Sequence, residues 1–151
     1  MNNSTSPSLA SRREAMQRLL CAFAGFGLAS SHASAHEETA PTAGGVKVTR
    51  LFAHELPGHP GEEVSIVLVE IPPGASSPAH RHPGPVFVYG VQGAVEMQVK
   101  DGPLTTLHAG EVFFEDIGAV HAVSKNASTT EPAKIIAFMI AKAGAPIVLP
   151  S

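Results

Sequence analysis

Between Val46 and Lys142 the chain reads as a succession of short segments in which apolar residues alternate with polar ones or run together, each closed by glycine or proline. Alternation through Val46 to Ala53 predicts a first strand, and a longer run over Glu63 to Ile71 a second; Pro57-Gly58-His59-Pro60-Gly61 turns between them. Pro72-Pro73-Gly74 ends the second run, and Pro83-Gly84-Pro85 parts Ala79–His82 from Val86–Val91. In Ala94 to Lys100, Val95, Met97 and Val99 share one face while Glu96, Gln98 and Lys100 share the other, the pattern of a strand with one buried side. Further strands are predicted over Leu104–His108, Glu111–Glu115, Ala119–Ser124 and Lys134–Lys142, after turns at Asp101-Gly102-Pro103, Gly110 and Gly118. Eight or nine short antiparallel strands at this spacing predict an all-β domain, a double-sheet jelly-roll barrel. An immunoglobulin-type sandwich fits less well, because its cysteine and tryptophan markers are missing.

Composition narrows the organisation. The 151 residues include 14 Gly and 13 Pro and no Trp, which suits strands and turns. Residues 1–35 have the marks of a removable secretory signal peptide: Arg12-Arg13, a short apolar run from Leu19 to Ala29, and small residues at Ala33-Ser34-Ala35. The stretch Ser11 to Met16 resembles a twin-arginine leader, with Ala15 where such leaders usually carry Phe; an ordinary Sec leader is the alternative. A loose segment is expected over 36–45, then one domain over 46–151. The expected location is the periplasm or the medium of a bacterium.

Loss of the leader removes three arginines and one glutamate, so the formal charge moves from −3 to −5. That argues against nucleic acid and anionic lipid as partners, and no later segment has the 18 or so apolar residues of a span. The single cysteine, Cys21, lies in the leader, so any metal must sit on nitrogen and oxygen ligands.

Seven of the eight histidines lie at or after residue 36. In His80-Arg81-His82 the two imidazoles are separated by one residue, so a strand projects both from one face, where one metal ion can bind both. A third ligand must come from elsewhere, and His121 follows the Gly118 turn at the start of another predicted strand. Three neutral imidazoles leave positions open for water or substrate.

These residues resemble the cupin family. Gly74, five residues, His80-Arg81-His82 and then Gly93 is similar to the first cupin motif; Gly110, five residues, Asp116-Ile117-Gly118, two residues and His121 is similar to the second. Either half alone is a weak signal, whereas the two together are specific. Cupins with a four-ligand site carry a glutamate three or four residues after the second histidine; here Val86 or Phe87 stands there. Asp116 replaces the usual proline, and Asn126 falls one residue later than is common. Lacking the glutamate, the chain resembles three-histidine cupins, several of which are iron-dependent dioxygenases. The resemblance therefore implies one divalent metal ion, iron ahead of manganese, nickel or zinc, and oxygenase-type chemistry on a small acidic or enolisable molecule. A binding module without catalysis, a metal-assisted isomerase or lyase, and a metal-free cupin kept for its shape are the alternatives.

Two further residues are candidates for chemistry. Glu115, six residues before His121, is placed to orient an imidazole or move a proton, or else is a solvated strand end. Tyr89, the only tyrosine, offers a hydroxyl to substrate. Phe87, Tyr89, Met97, Phe113, Phe138 and Met139 are candidates to line an apolar pocket, or plain core. His54, His59 and His108 sit near turns and read as exposed, Glu96 as exposed, and Glu70 as ambiguous. The implied partners are a small-molecule substrate and, as an option, a second copy of the chain.

Overall fold

The computed structural model describes residues 38–41 and 44–151; the expected leader lies outside the described residues. Among the described residues there is no helix, and hence none long and apolar enough to cross a membrane. Twelve strands run in order: β1 (Glu38–Pro41), β2 (Lys47–Glu55), β3 (Glu62–Ile71), β4 (Ser76–Ser77), β5 (His80–Arg81), β6 (Val86–Gln92), β7 (Ala94–Val99), β8 (Thr105–His108), β9 (Val112–Glu115), β10 (Val120–Asn126), β11 (Ala133–Lys142) and β12 (Leu149–Pro150). They form two antiparallel sheets, one ordered β1-β2-β3-β11-β6-β9, the other β12-β5-β10-β7-β8 with β4 also on β10. This is the expected jelly roll. Nine strands answer to the predicted runs, most within one or two residues of their ends. The predicted run over Ala79–His82 contracts to the two residues of β5.

The remaining three strands are short, and β1 falls where a loose segment is expected: Glu38–Pro41 pairs with β2, Glu38 opposite Arg50. β2 offers that free edge because its other side is taken by β3.

Inward faces follow the two-residue period of a strand. Val86 and Val88 on β6, Val95 and Met97 on β7, and Ile135 and Met139 on β11 are all buried and belong to one core. Each such side chain contributes about 1.5–3 kcal/mol when fully removed from water. The intervening residues face outward. Glu70 lies between Lys47 and Lys134 in register across β2, β3 and β11, and ion-pairs with both at 3.6 and 2.8 Å. Lys134 foremost holds its carboxyl below the ordinary range. Glu96 faces Lys125 in the same way at 3.7 Å.

Asn126, at the end of β10, is 1% exposed and ties three segments together. Its Nδ2 donates to the carbonyls of Ile71 (3.0 Å), Pro72 (3.1 Å) and Glu131 (2.8 Å), and its Oδ1 accepts from the Ser128 N–H at 2.8 Å. The residue is therefore structural, as its turn position suggests. Asn126→Ala, which leaves these buried groups without partners, is expected to lower unfolding free energy by about 2–4 kcal/mol. Urea denaturation checks this; a midpoint unchanged from wild type contradicts it.

Candidate metal centre

His80 and His121 are brought together by strand pairing. β5 and β10 run antiparallel with His80 directly opposite His121, a register that sets side chains of one face side by side. The β10–β7 ladder slips between His121 and Val123, and such a bulge re-aims a side chain while leaving the strand paired. His82 follows β5. Its loop is lashed to the turn before β10: the Gly118 N–H donates to the His82 carbonyl at 3.2 Å, and Arg81 Nη1 donates to the Gly118 carbonyl at 3.1 Å. Gly118 itself has φ +68°, a left-handed conformation that costs glycine little. Gly84, on the other flank, permits close approach of strands, since a Cβ there would meet the Ile140 carbonyl oxygen at 1.8 Å.

The three imidazoles converge. One nitrogen from each of His80, His82 and His121 lies within 4.8 Å of the other two, and the three are positioned to bind a metal ion. The ring of His80 meets that of His82 edge-on, centroids 4.9 Å apart, and that of His121 at 5.1 Å. Two rings are held from behind: His80 Nδ1 donates to the Pro78 carbonyl and His82 Nδ1 to the Ile147 carbonyl, each at 2.7 Å. A carbonyl only accepts, so Nδ1 carries the proton and Nε2 presents a lone pair, the tautomer a metal requires. Phe113 stacks near His121, centroids 6.4 Å apart and planes 26° off parallel. Both nitrogens of His121 are buried without a well-formed hydrogen bond.

Glu115 joins this group. It ends β9 on the same inward face as Phe113, is 2% exposed, and its Oε2 lies 3.2 Å from His121 Nδ1 and 3.5 Å from His82 Nε2. The reading of Glu115 as a solvated strand end is thus corrected: strand alternation turns it inward.

Despite their closeness, burial favours the neutral form of each of these groups and so opposes ion pairing between them. Burial pushes the Glu115 carboxyl up to about 7. Burial likewise pushes His82 down to about 4, helped by His80, with the Ile147 carbonyl opposing. His121 falls to about 3 through burial and the neighbouring imidazoles, the Val123 backbone partly offsetting this.

The signs set a pH profile for the metal-free protein. The two depressed histidines bind protons in the unfolded chain but not in the fold below about pH 6.5, so acid removes stability as pH falls from there towards 4 and 3. Glu115, raised from 4.5, acts oppositely, because the fold holds its proton up to about pH 7; above that the fold keeps a buried, unpaired carboxylate. Two histidines outweigh one glutamate between these limits, so stability is expected to peak near pH 6.5–7 and to fall on acidification towards pH 4. Thermal melts of chelator-treated protein across pH 4–8 measure this, and a profile still rising towards pH 4 contradicts it.

A cavity of about 330 Å³ opens from the histidines, at the small end of ligand sites. Its walls are aliphatic: Val48, Val67 and Val69, Val86 and Val88, Ile135 and Ala137, closed by Ile147 to Pro150. Among the described residues, no lysine or arginine lines it. None of the six residues named as candidates for pocket lining or plain core lines this cavity. Met97 and Met139 are core, Phe113 packs partly buried against it, and Phe87, Tyr89 and Phe138 are 38–45% exposed on the outer faces. Tyr89 stands between inward Val88 and Gly90 and so points away; its hydroxyl is not brought to the histidines. His54, His59 and His108 are exposed and outside the cluster. Sequence reasoning missed the wall made by residues 147–150, for which only a short apolar stretch with two prolines was visible.

Comparison with known proteins agrees with this architecture. A family model described as the cupin domain matches residues 67–139, which include all three histidines and Glu115. No curated protein sequence matches the chain. Among solved structures, an RmlC-like cupin from Shewanella frigidimarina is 26% identical with a TM-score of 0.54, covering 76% of this chain and 95% of that one. An uncharacterised double-stranded β-helix protein from Klebsiella pneumoniae is 22% identical with a TM-score of 0.56 over 81% of this chain and 98% of its own. A DMSP lyase from Ruegeria pomeroyi is 21% identical with a TM-score of 0.51; the match covers 57% of this chain and 42% of the lyase, less than half its length.

Proposed function

The chain belongs to the cupin superfamily, and on that basis we propose that it is an exported, metal-dependent enzyme of oxygenase type acting on a small acidic or enolisable organic molecule. The observation that carries this reading is the convergence of three imidazoles at the polar end of a largely aliphatic cavity. A divalent ion there, iron foremost, would supply a Lewis acid and a place for dioxygen. His80, His82 and His121 would hold it, the first two locked in the ligating tautomer by Pro78 and Ile147.

The remaining residues select the substrate. With no lysine or arginine among the described residues of the walls, an anionic group finds no cationic side chain there and is drawn to the metal end, while the valines and Ile135 take an apolar body. That favours a molecule with one chelating or enolisable head over a small dianion. The aliphatic walls also exclude water. Where it is not held by the metal, Glu115, its Oε2 3.2 Å from His121 Nδ1, is placed to take a proton from the head group or return one. The same property supports a second reading, metal-assisted isomerase or lyase chemistry.

The test is the metal content of protein purified from its native compartment, followed by oxygen uptake with monocarboxylates and 1,3-diketones. Near-stoichiometric iron with substrate-dependent uptake is the expected result. Zinc or nickel without uptake moves the assignment to the second reading, and less than about a tenth of an equivalent of any transition metal sinks both. Export is tested by the N-terminus of the periplasmic protein, expected at His36.

A further inference from the structure

The family resemblance leaves one position unfilled: where a motif carboxylate is expected after His82, the chain has Val86, which is 1% exposed and lines the cavity. The β6–β9 ladder pairs Val86 directly with Glu115. Directly opposed residues on one face of an antiparallel pair have Cβ atoms about 4.5–5.5 Å apart, so a carboxylate from either strand reaches the same volume.

We propose that Glu115 is itself a ligand of the metal held by His80, His82 and His121, a carboxylate delivered from β9 in place of the one absent from β6. This rests on the three-histidine metal site proposed above.

The contacts around Oε2 support it. His82 Nε2 bears a lone pair, because its Nδ1 donates to Ile147, and it faces Oε2 at 3.5 Å. Two buried acceptors facing each other repel unless a cation or proton lies between them. Oε2 is also buried without a hydrogen-bond partner, and no lysine or arginine lines the cavity to neutralise it. The spacing suits shared coordination: metal–ligand bonds of about 2.1 Å put neighbouring donors about 3.0 Å apart in an octahedron and about 3.4 Å apart in a tetrahedron. Oε2 stands 3.2 Å from His121 Nδ1 and 3.5 Å from His82 Nε2, so it meets this spacing to two of the three imidazoles. With this carboxylate bound, a divalent ion keeps a single positive charge, which one monoanionic head group neutralises. The ligand set thus restricts the substrate in the same sense as the uncharged walls.

The test uses manganese(II) and cobalt(II) with the full chain, reading affinity by chelator competition and folding by circular dichroism. Glu115→Gln, which preserves shape, and Glu115→Val are each expected to weaken binding more than about tenfold, and Val86→Glu/Glu115→Val to recover most of the loss. In the manganese form, Glu115→Gln is expected to raise water-proton relaxivity, because a lost protein ligand is replaced by water. A wild-type protein that binds neither ion overturns the three-histidine reading itself. A wild-type protein that binds both, with Glu115→Gln equal to it in affinity and relaxivity, overturns only the role of Glu115. Weakened binding without a gain in relaxivity also overturns it, by making Glu115 a positioning residue that holds the His121 ring.

Discussion

Replacing His121 with alanine is expected to lower metal affinity by at least about a hundredfold, beyond the tenfold to hundredfold cost of losing a group that merely orients a ligand. The size of the effect follows from geometry. His121 is the sole histidine of the cluster on β10 and lies directly opposite His80, so no neighbouring imidazole can take its place. The same substitution is expected to leave the metal-free fold nearly as stable as wild type. Both His121 ring nitrogens are buried without a well-formed hydrogen bond, so truncation removes an unsatisfied polar group along with the ring's packing against Phe113.

The two proteins should therefore part company only when metal is added. At an ion concentration of 1,000 times Kd, wild type gains about 4 kcal/mol, which in a domain of this size is a rise in Tm on the order of ten degrees or more. His121→Ala should gain almost nothing at the same concentration. Equilibrium dialysis with elemental analysis, alongside calorimetry with and without metal, measures both halves. A variant that retains wild-type metal, or whose metal-free Tm collapses, contradicts the assignment.

How much of this was legible in the sequence depended on whether a signal was periodic or relational. The eight longer predicted strands, β2, β3 and β6 to β11, announce themselves through alternation or apolar runs closed by turns that need glycine or proline. β4 and β12, two residues each, span a single period and carry no alternation to read. The His-x-His pair was legible because a strand has only two faces. The closeness of His121 was legible through family resemblance, since the β5–β10 register that creates it joins His80 and His121, 41 positions apart.

Glu115 was ambiguous for a related reason. Parity with Phe113 turns it inward, but whether an inward carboxylate meets solvent or histidines depends on the pairing of β9 with β6. The aromatic residues mislead because size and apolarity suggest burial. Phe87 and Phe114 instead face each other across β6 and β9 on the outer side, ring centroids 5.0 Å apart, while smaller aliphatic residues fill the inward positions and leave room for a cavity.

Cutting the chain after Ala145 is expected to weaken metal binding about tenfold to a hundredfold, although no metal ligand is removed. The deleted residues do three things. The Ile147 carbonyl accepts the His82 Nδ1–H at 2.7 Å, which fixes the ligating tautomer and the ring's angle. Leu149 and Pro150 pair with Arg81 and His80 as β12, holding the strand that carries the first histidine. The side chains from Ile147 to Pro150 wall the cavity.

The first two functions belong largely to the backbone and the third to side chains, so they can be separated. Ile147→Ala keeps the carbonyl and should leave metal affinity within about threefold of wild type, while weakening capture of an apolar ligand by about 1–3 kcal/mol through lost contact. Chelator competition for the metal and titration with an environment-sensitive hydrophobic dye read the two effects independently. If Ile147→Ala costs as much metal affinity as the truncation, the strap acts through packing and the hydrogen bond to His82 is incidental. If neither variant changes metal affinity, His82 is oriented by the Gly118 turn and β5 alone.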